Sequence, residues 1–375
     1  MKILESYVAV SDFDSDKIRS VTFTDVVVSP SGRIHVSFRG GPSKGPNTGE
    51  SGWTCHSDDG GKTFTYPKAT FGKLPMRGGK EGHLRGMQLL PLGGKKLFGV
   101  ASVVENMDDA LPYFNEETEA IKNTQLYCFF SEDDGETFSE PKEILMQDQY
   151  RDMACVLTGP PQLLRNGDIM VNFEVYKTYY DTRPIDHTPA CIFSHDGGVS
   201  WDKEITMFRS SEIYAWDHRA GEAENGRLLD YVWTFDRKTN NYKNITMMES
   251  RDGGKNWSGL RDVGLKGQAG NPVCLPDGRI ALVWFDRTGV PTCKLAISED
   301  GGFTFGPAFN VYEHKAPVAE HSKAAYAEAW DEMSKFTAGH CFQTLLPDGD
   351  LLVVLYAGPV KDKTEARLFR VSVNE

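Results

Sequence analysis

Apolar residues fall along this chain in short runs, long enough for one strand and too short for an ordinary helix. Leu126–Phe130 and Cys293–Ile297 are examples, and residues 3–10 (Ile-Leu-Glu-Ser-Tyr-Val-Ala-Val) form another. Two recurring signals separate the runs. The first is a tight turn, seen at Ser31-Gly32, Gly93-Gly94, Asn166-Gly167, Asn225-Gly226, Asp277-Gly278 and Asp348-Gly349. Asn-Gly and Asp-Gly between apolar runs close hairpins because both residues tolerate positive φ. The second is an octapeptide, Ser-Asp-Asp-Gly-Gly-Lys-Thr-Phe at 57–64, which returns at 131–138, 194–201, 250–257 and 298–305. Its second copy looks slightly displaced around Asp133-Asp134-Gly135. Ser and Asp side chains bond to amides two residues on, the Gly pair allows positive φ, and the last aromatic packs inward. This is the chemistry of a turn that holds a hairpin shut, not of catalysis.

Each unit therefore runs strand, tight turn, strand, loop, strand, octapeptide turn, strand. Four antiparallel strands repeated six times describe an all-β, six-bladed β-propeller, and the repeat spans 1–375 as one domain. The last unit ends with Glu365–Val373 and lacks a fourth strand, so residues 3–10 are expected to complete it and close the ring. Two insertions interrupt the plan. Residues 104–124 form an acidic, polar loop, and 322–336 place helix formers behind Ser322, which predicts a short capped helix.

Composition narrows the function classes. A net charge of −12 rules against a broad phosphate-neutralising face, so nucleic acid is not an expected partner. No run reaches the roughly 18 consecutive apolar residues of a membrane span. Glu5 breaks the first apolar run too early for a signal peptide, and seven Cys without framework spacing read as reduced thiols. Both point to the cytoplasm. No phosphate-cradling loop or HExxH pair is present, and no metal or cofactor is expected. Asp12–Asp16 begins like a calcium loop, but Lys17 replaces the required Gly, so it reads as a solvated turn.

The octapeptide matches the Asp-box, or bacterial neuraminidase repeat, and with six hairpins the whole chain resembles the sialidase superfamily. That resemblance implies an Arg triad gripping a substrate carboxylate, an Asp acid/base, and a Tyr nucleophile activated by a Glu. Counted from the hairpin glycines, the first Arg falls about ten residues before Gly32, where Thr22-Phe23-Thr24-Asp25 stands. The Tyr falls on His340, the Glu on Asp217 and the acid/base near Glu50; Tyr356 stands where such enzymes often carry a Glu. Two defining positions thus depart from the pattern.

In a propeller the residues entering each innermost strand sit at the mouth of the axis. The same count gives Thr24 and Asp25; His83 and Arg85; Arg151 and Thr158; Asp217, His218 and Arg219; Gln268 and Asn271; and His340 and Gln343. Arg85, joined by Arg39, Arg151, Arg219 or Arg287, is expected to hold an anion, since bidentate guanidinium recognition depends on local geometry. His83, His218, Gln268 and Asn271 complete the expected binding wall. Asp217, Glu50 or Asp25 would supply carboxyl chemistry, and His340 or Tyr356 would move a proton. Asp217 and His218 alternate on a strand, so only one can face the axis.

Three activities fit this inventory. The first is a glycoside hydrolase taking a terminal, carboxylate-bearing sugar. The second is a lyase in which Arg neutralises a uronate and His340 or Tyr356 abstracts a proton. The third is a propeller that binds carbohydrate without turnover. The hydrolase is the leading expectation, with a carbohydrate as partner and a homo-oligomer compatible with it.

Overall fold

The computed structural model describes residues 1–11, 17–44, 51–108, 110–184, 187–316 and 326–373. Six antiparallel sheets follow one another along the chain. Their innermost strands are Ser20–Val28, Lys80–Gly93, Ala154–Leu157 continued by Gln162–Leu163, Ile213–Glu222, Gln268–Cys274 and Ala338–Leu345. The third is broken at Pro160-Pro161, because proline has no N–H to give the ladder. The N-terminal strand Lys2–Val10 pairs with Lys363–Ser372 as the outermost strand of the sixth sheet, so the two chain ends close the ring. The molecule is a six-bladed β-propeller. Among the described residues no helix is long and apolar enough to cross a membrane.

The octapeptides fold alike in all five copies. Ser57 bonds Asp59 at 2.8 Å and accepts the Gly61 amide at 2.9 Å, while Asp59 takes the amide and hydroxyl of Thr63 at 2.9 and 2.7 Å. The second copy is not displaced. Asp133 makes the same bonds as Asp59, and Asp134 replaces the first glycine at φ 59°. Asp is among the few side chains that accept this region, and Asp134 uses it to bond Ser31 and His35 of the first blade.

The second glycine of each copy is a point of contact between blades. A Cβ built on Gly61, Gly135, Gly198, Gly254 or Gly302 would meet Tyr7, His35, Phe98, Phe193 or Tyr231, at 2.3 to 3.0 Å. Each of those rings belongs to the preceding blade. The turn thus closes its own hairpin and presses against its neighbour. Seven apolar clusters fill the spaces within and between sheets.

The two insertions meet above the ring. The first folds a small hairpin, Phe114–Asn115 with Ala120–Ile121, and the second carries the helix Tyr326–Lys335. Phe114 stacks on Trp330 with ring centroids 5.2 Å apart and planes 7° from parallel. The expected N-terminal part of that helix, from Ser322, lies outside the described residues, as do Asp12–Asp16.

Candidate active site at the mouth of the axis

A cavity of about 410 Å³ opens where the innermost strands begin. What places side chains there is a β-bulge, recurring in five of the six innermost strands. Phe23-Thr24, Asp217-His218 and His340-Cys341 each set two residues against one on the partner strand. A bulge of this kind re-aims a side chain. Phe23, Asp217 and His340 have φ of 50°, 47° and 46°, and each lies nine residues before its hairpin glycine. Non-glycine residues in this region store roughly 1–3 kcal/mol of strain each, which persists only where the surroundings impose it. Among the described residues, three of the six non-glycine residues with positive φ line this one cavity. Arg85 occupies the same offset before Gly94 in the second blade and also faces the cavity.

The bulge explains the placement of the first blade's residues. Phe23 takes the mouth position; Thr24 turns back and donates to the His340 carbonyl at 3.4 Å. Asp25 lines a second cavity, about 340 Å³, formed by the hairpin ends of the same strands. Burial raises its carboxyl to about 7 against the pull of the Val26 and Leu89 amides. Asn271 lies in that second cavity too, bonded to the backbone of Gln343.

Of the expected site residues, Arg39, Arg85, Asp217, Gln268, His340 and Tyr356 converge on the first cavity. Others stand behind its wall. Arg219, fully buried, donates to Asp217 Oδ1 at 3.0 Å. Arg287, equally buried, donates to Gln268 Oε1 and the Ala338 carbonyl, both at 2.9 Å. Gln268 in turn donates to Asp217 Oδ2 at 2.5 Å. His218 points away from the axis into a buried pair with Asp230, 3.1 Å apart, and its Nε2 donates to the Phe173 carbonyl at 2.9 Å. His83 is buried against Asn106 and held near 4 by that burial. Arg151 is exposed and lines neither cavity. Glu50 lies outside the described residues.

The cavity is divided electrostatically. Burial pushes the Asp217 carboxyl up, but the charge of Arg219, the neighbouring His340, and hydrogen bonds from Gln268 and Arg219 outweigh it and hold it below its ordinary value. Burial lowers His340 to about 3, helped by Arg219, Lys44 and Arg287 against Asp217, so its imidazole is neutral. Among the described residues nothing hydrogen-bonds its ring. Burial also raises Tyr356 to about 12, keeping its hydroxyl protonated.

The other side is cationic. Desolvation lowers Arg39, Lys44 and Arg85, and the positive neighbours of Arg39 and Lys44 lower those two further. The guanidinium carbons of Arg39 and Arg85 lie 5.5 and 5.7 Å from the Phe23 ring centroid, and Arg85 also sits 3.5 Å from that of Tyr113. Among the described residues Arg85 has no ion-pair or hydrogen-bond partner. The Phe23 ring is the divider, since its other contact is His340, 4.3 Å between centroids. Among the described residues no three His, Cys, Asp or Glu side chains gather as a metal would need.

Sequence counting missed several wall residues. Lys44 donates to the carbonyls of Met333 and Phe336 and to the Tyr356 hydroxyl, at 3.1, 2.7 and 3.1 Å, so it ties the end of the insertion helix to the cavity. Glu174 and Tyr176 come from a second strand, and Tyr113, Phe114 and Trp330 from the insertions. Glu174 stands seven residues after the hairpin glycine Gly167, the offset of Arg39 from Gly32 and of Tyr356 from Gly349, so the same count along the second strands points to it. Lys44 has no such signal, and only the length of the insertions marked Tyr113, Phe114 and Trp330.

Family comparison agrees with the architecture. The model of the BNR repeat-like domain matches residues 96–336, and the chain belongs to that family, within the sialidase superfamily. No curated protein matches it. Among solved structures, a Dyadobacter fermentans protein of unknown function is similar over 99% of both chains, at 18% identity and TM-score 0.74. A Hadza microbial sialidase is 16% identical, TM-score 0.72, over 98% of this chain and 68% of its own. The intramolecular trans-sialidase from Ruminococcus gnavus, solved with oseltamivir carboxylate, is 14% identical, TM-score 0.69, over 98% and 97%.

Proposed function

We propose that this chain is a sialidase-like glycoside hydrolase that removes a terminal, carboxylate-bearing sugar. The observation that carries the reading is the division of one cavity by Phe23. Arg39 and Arg85 lie on one side, and the neutral His340, beside the ionised Asp217, on the other. A ligand carboxylate between the guanidiniums would relieve their mutual repulsion and gain charge-assisted hydrogen bonds. That anchor would present the ring to Asp217, whose negative charge favours an oxocarbenium-like transition state. Asp217 is then nucleophile or base, because a group held ionised is a poor proton donor. Tyr356 stays protonated and donates a hydrogen bond. Glu50, which falls near the superfamily's acid/base position in the count, would protonate the leaving oxygen.

A second reading has one observation of its own. His340 is a neutral base without a hydrogen-bond partner among the described residues, at the position of the expected nucleophile. In a uronate lyase it would take the proton next to the carboxylate as the neighbouring C–O bond breaks and a C=C bond forms. The test is incubation with oligosaccharides ending in sialic or uronic acids. Released free sugar without ultraviolet absorbance supports hydrolysis; an absorbing unsaturated product supports the lyase. Binding without either product, or no binding, overturns both.

A further inference from the structure

Asp217 reaches the cavity only through its bulge, with φ at 47°, and the neighbouring blade holds that bulge at two points. The Asp217 amide donates to Oε1 of Glu174, and the side chain of His218 donates to the carbonyl of Phe173. Both acceptors lie on the strand Ile169–Tyr176 of the third blade. Glu174 is itself fixed: its Oε2 accepts from the Tyr176 hydroxyl and from His187 Nε2, the latter at 3.1 Å. It is 3% exposed, so its aim is set by packing rather than by solvent.

We propose that Glu174 is the positioning residue of this site: its carboxylate oxygen, accepting the Asp217 amide, holds the strained bulge that keeps Asp217 within reach of Arg219 and Gln268. This rests on the reading of Asp217 as the reacting carboxylate. A bulge residue in the left-handed region relaxes unless the groups around it demand that conformation. In that conformation the Asp217 amide faces Glu174. Once it turns, the carboxyl loses the partners that keep it ionised, and burial raises it. Reach, not charge, is the property that matters.

Two substitutions separate reach from charge. Glu174→Gln keeps an acceptor oxygen at the same distance. Its new amide is accommodated if the Tyr176 hydroxyl turns and His187 takes the other tautomer, since His187 Nδ1 has no partner among the described residues. Glu174→Asp keeps the charge and withdraws the oxygen by one methylene. The carboxyl titration of Asp217 is followed by carbon NMR, assigned by difference with Asp217→Asn, alongside kcat, KM and melting temperature. Glu174→Asp should move the Asp217 midpoint upward and lower kcat about 100-fold with KM little changed, the order of loss that a misplaced reacting group produces. Glu174→Gln should restore the midpoint and most of the rate. Any other ordering overturns the proposal: Glu174→Asp titrating like the parent, Glu174→Gln losing as much as Glu174→Asp, or both changing only the melting temperature. If the parent turns over no acidic sugar, the functional reading fails, and the titration still decides whether Glu174 holds the bulge.

Discussion

At the rim of the ring five blades end in the same turn, closed by the same bonds; at the mouth of the axis the bulges of four blades carry four different side chains at one matching position. Ser57, Ser131, Ser194, Ser250 and Ser298 each accept the amide of the glycine four residues on. Phe23, Arg85, Asp217 and His340 share one offset from their hairpin glycines and differ in size, charge and proton chemistry. The repeat builds a frame, and the bulge at its inner edge is where the frame admits variation. Stability and chemistry are therefore expected to respond to different substitutions.

The sharpest separation should come at the mouth. Asp217→Asn is expected to abolish measurable turnover, and Arg85→Ala to lower kcat/KM by about 100-fold or more, the loss of a charge-assisted contact to substrate. Both should leave circular dichroism close to the parent. Arg85→Ala should leave the melting temperature close too, while Asp217→Asn should lower it without unfolding the protein, because the buried Arg219 loses its counter-charge. At the rim the reverse holds. Gly302→Ala drives a methyl group to 2.3 Å from the Tyr231 hydroxyl at a φ of 97°. It should cost roughly 1–3 kcal/mol by overpacking, read from denaturant unfolding, with kcat unchanged.

Acid should find the two regions at different pH. Asp59, Asp196 and Asp252 are held at about 2, mainly by hydrogen bonds from within their own turns. Asp300 is held there too, its turn's hydrogen bonds outweighing partial burial. A depressed folded-state value stabilises above the unfolded value near 4 and is lost as pH falls toward 2. Melting temperature should therefore drop steeply between about pH 4 and 2, and less steeply in Asp252→Ala. Asp25 has the opposite sign. Its folded value near 7 destabilises increasingly as pH rises from about 4 to 7, where the unfolded chain ionises first. Asp25→Asn should raise the melting temperature more at pH 8 than at pH 4; an equal rise at both would remove Asp25 from the account.

Much of the frame was legible in the sequence because turns are local. Two glycines beside an Asp or Asn impose their conformation without tertiary help, so hairpins, octapeptides, six blades and the closing strand 3–10 all followed. The mouth was legible only where its residues keep step with those turns, as Arg85, Asp217 and His340 do. The bulge adds one residue and reverses the facing of its neighbours, which is why Phe23 stands where Thr24 and Asp25 were counted. Glu174 and Lys44 reach the site from a second strand and a loop. Glu174 keeps the same step from Gly167 as Tyr356 from Gly349 and was legible by that count. The place of Lys44 depends instead on a helix end docking 289 or more residues away along the chain, and no short pattern encodes that.

The central claim is that the cavity recognises a sugar by its negative charge. Calorimetric titration of the parent and of Arg85→Ala with a sugar acid and with the corresponding neutral sugar tests it directly. The account predicts that the acid binds and the neutral sugar does not, that added salt weakens the binding, and that Arg85→Ala weakens it at least tenfold. Equal affinity for both sugars, or acid binding untouched by Arg85→Ala, would contradict it.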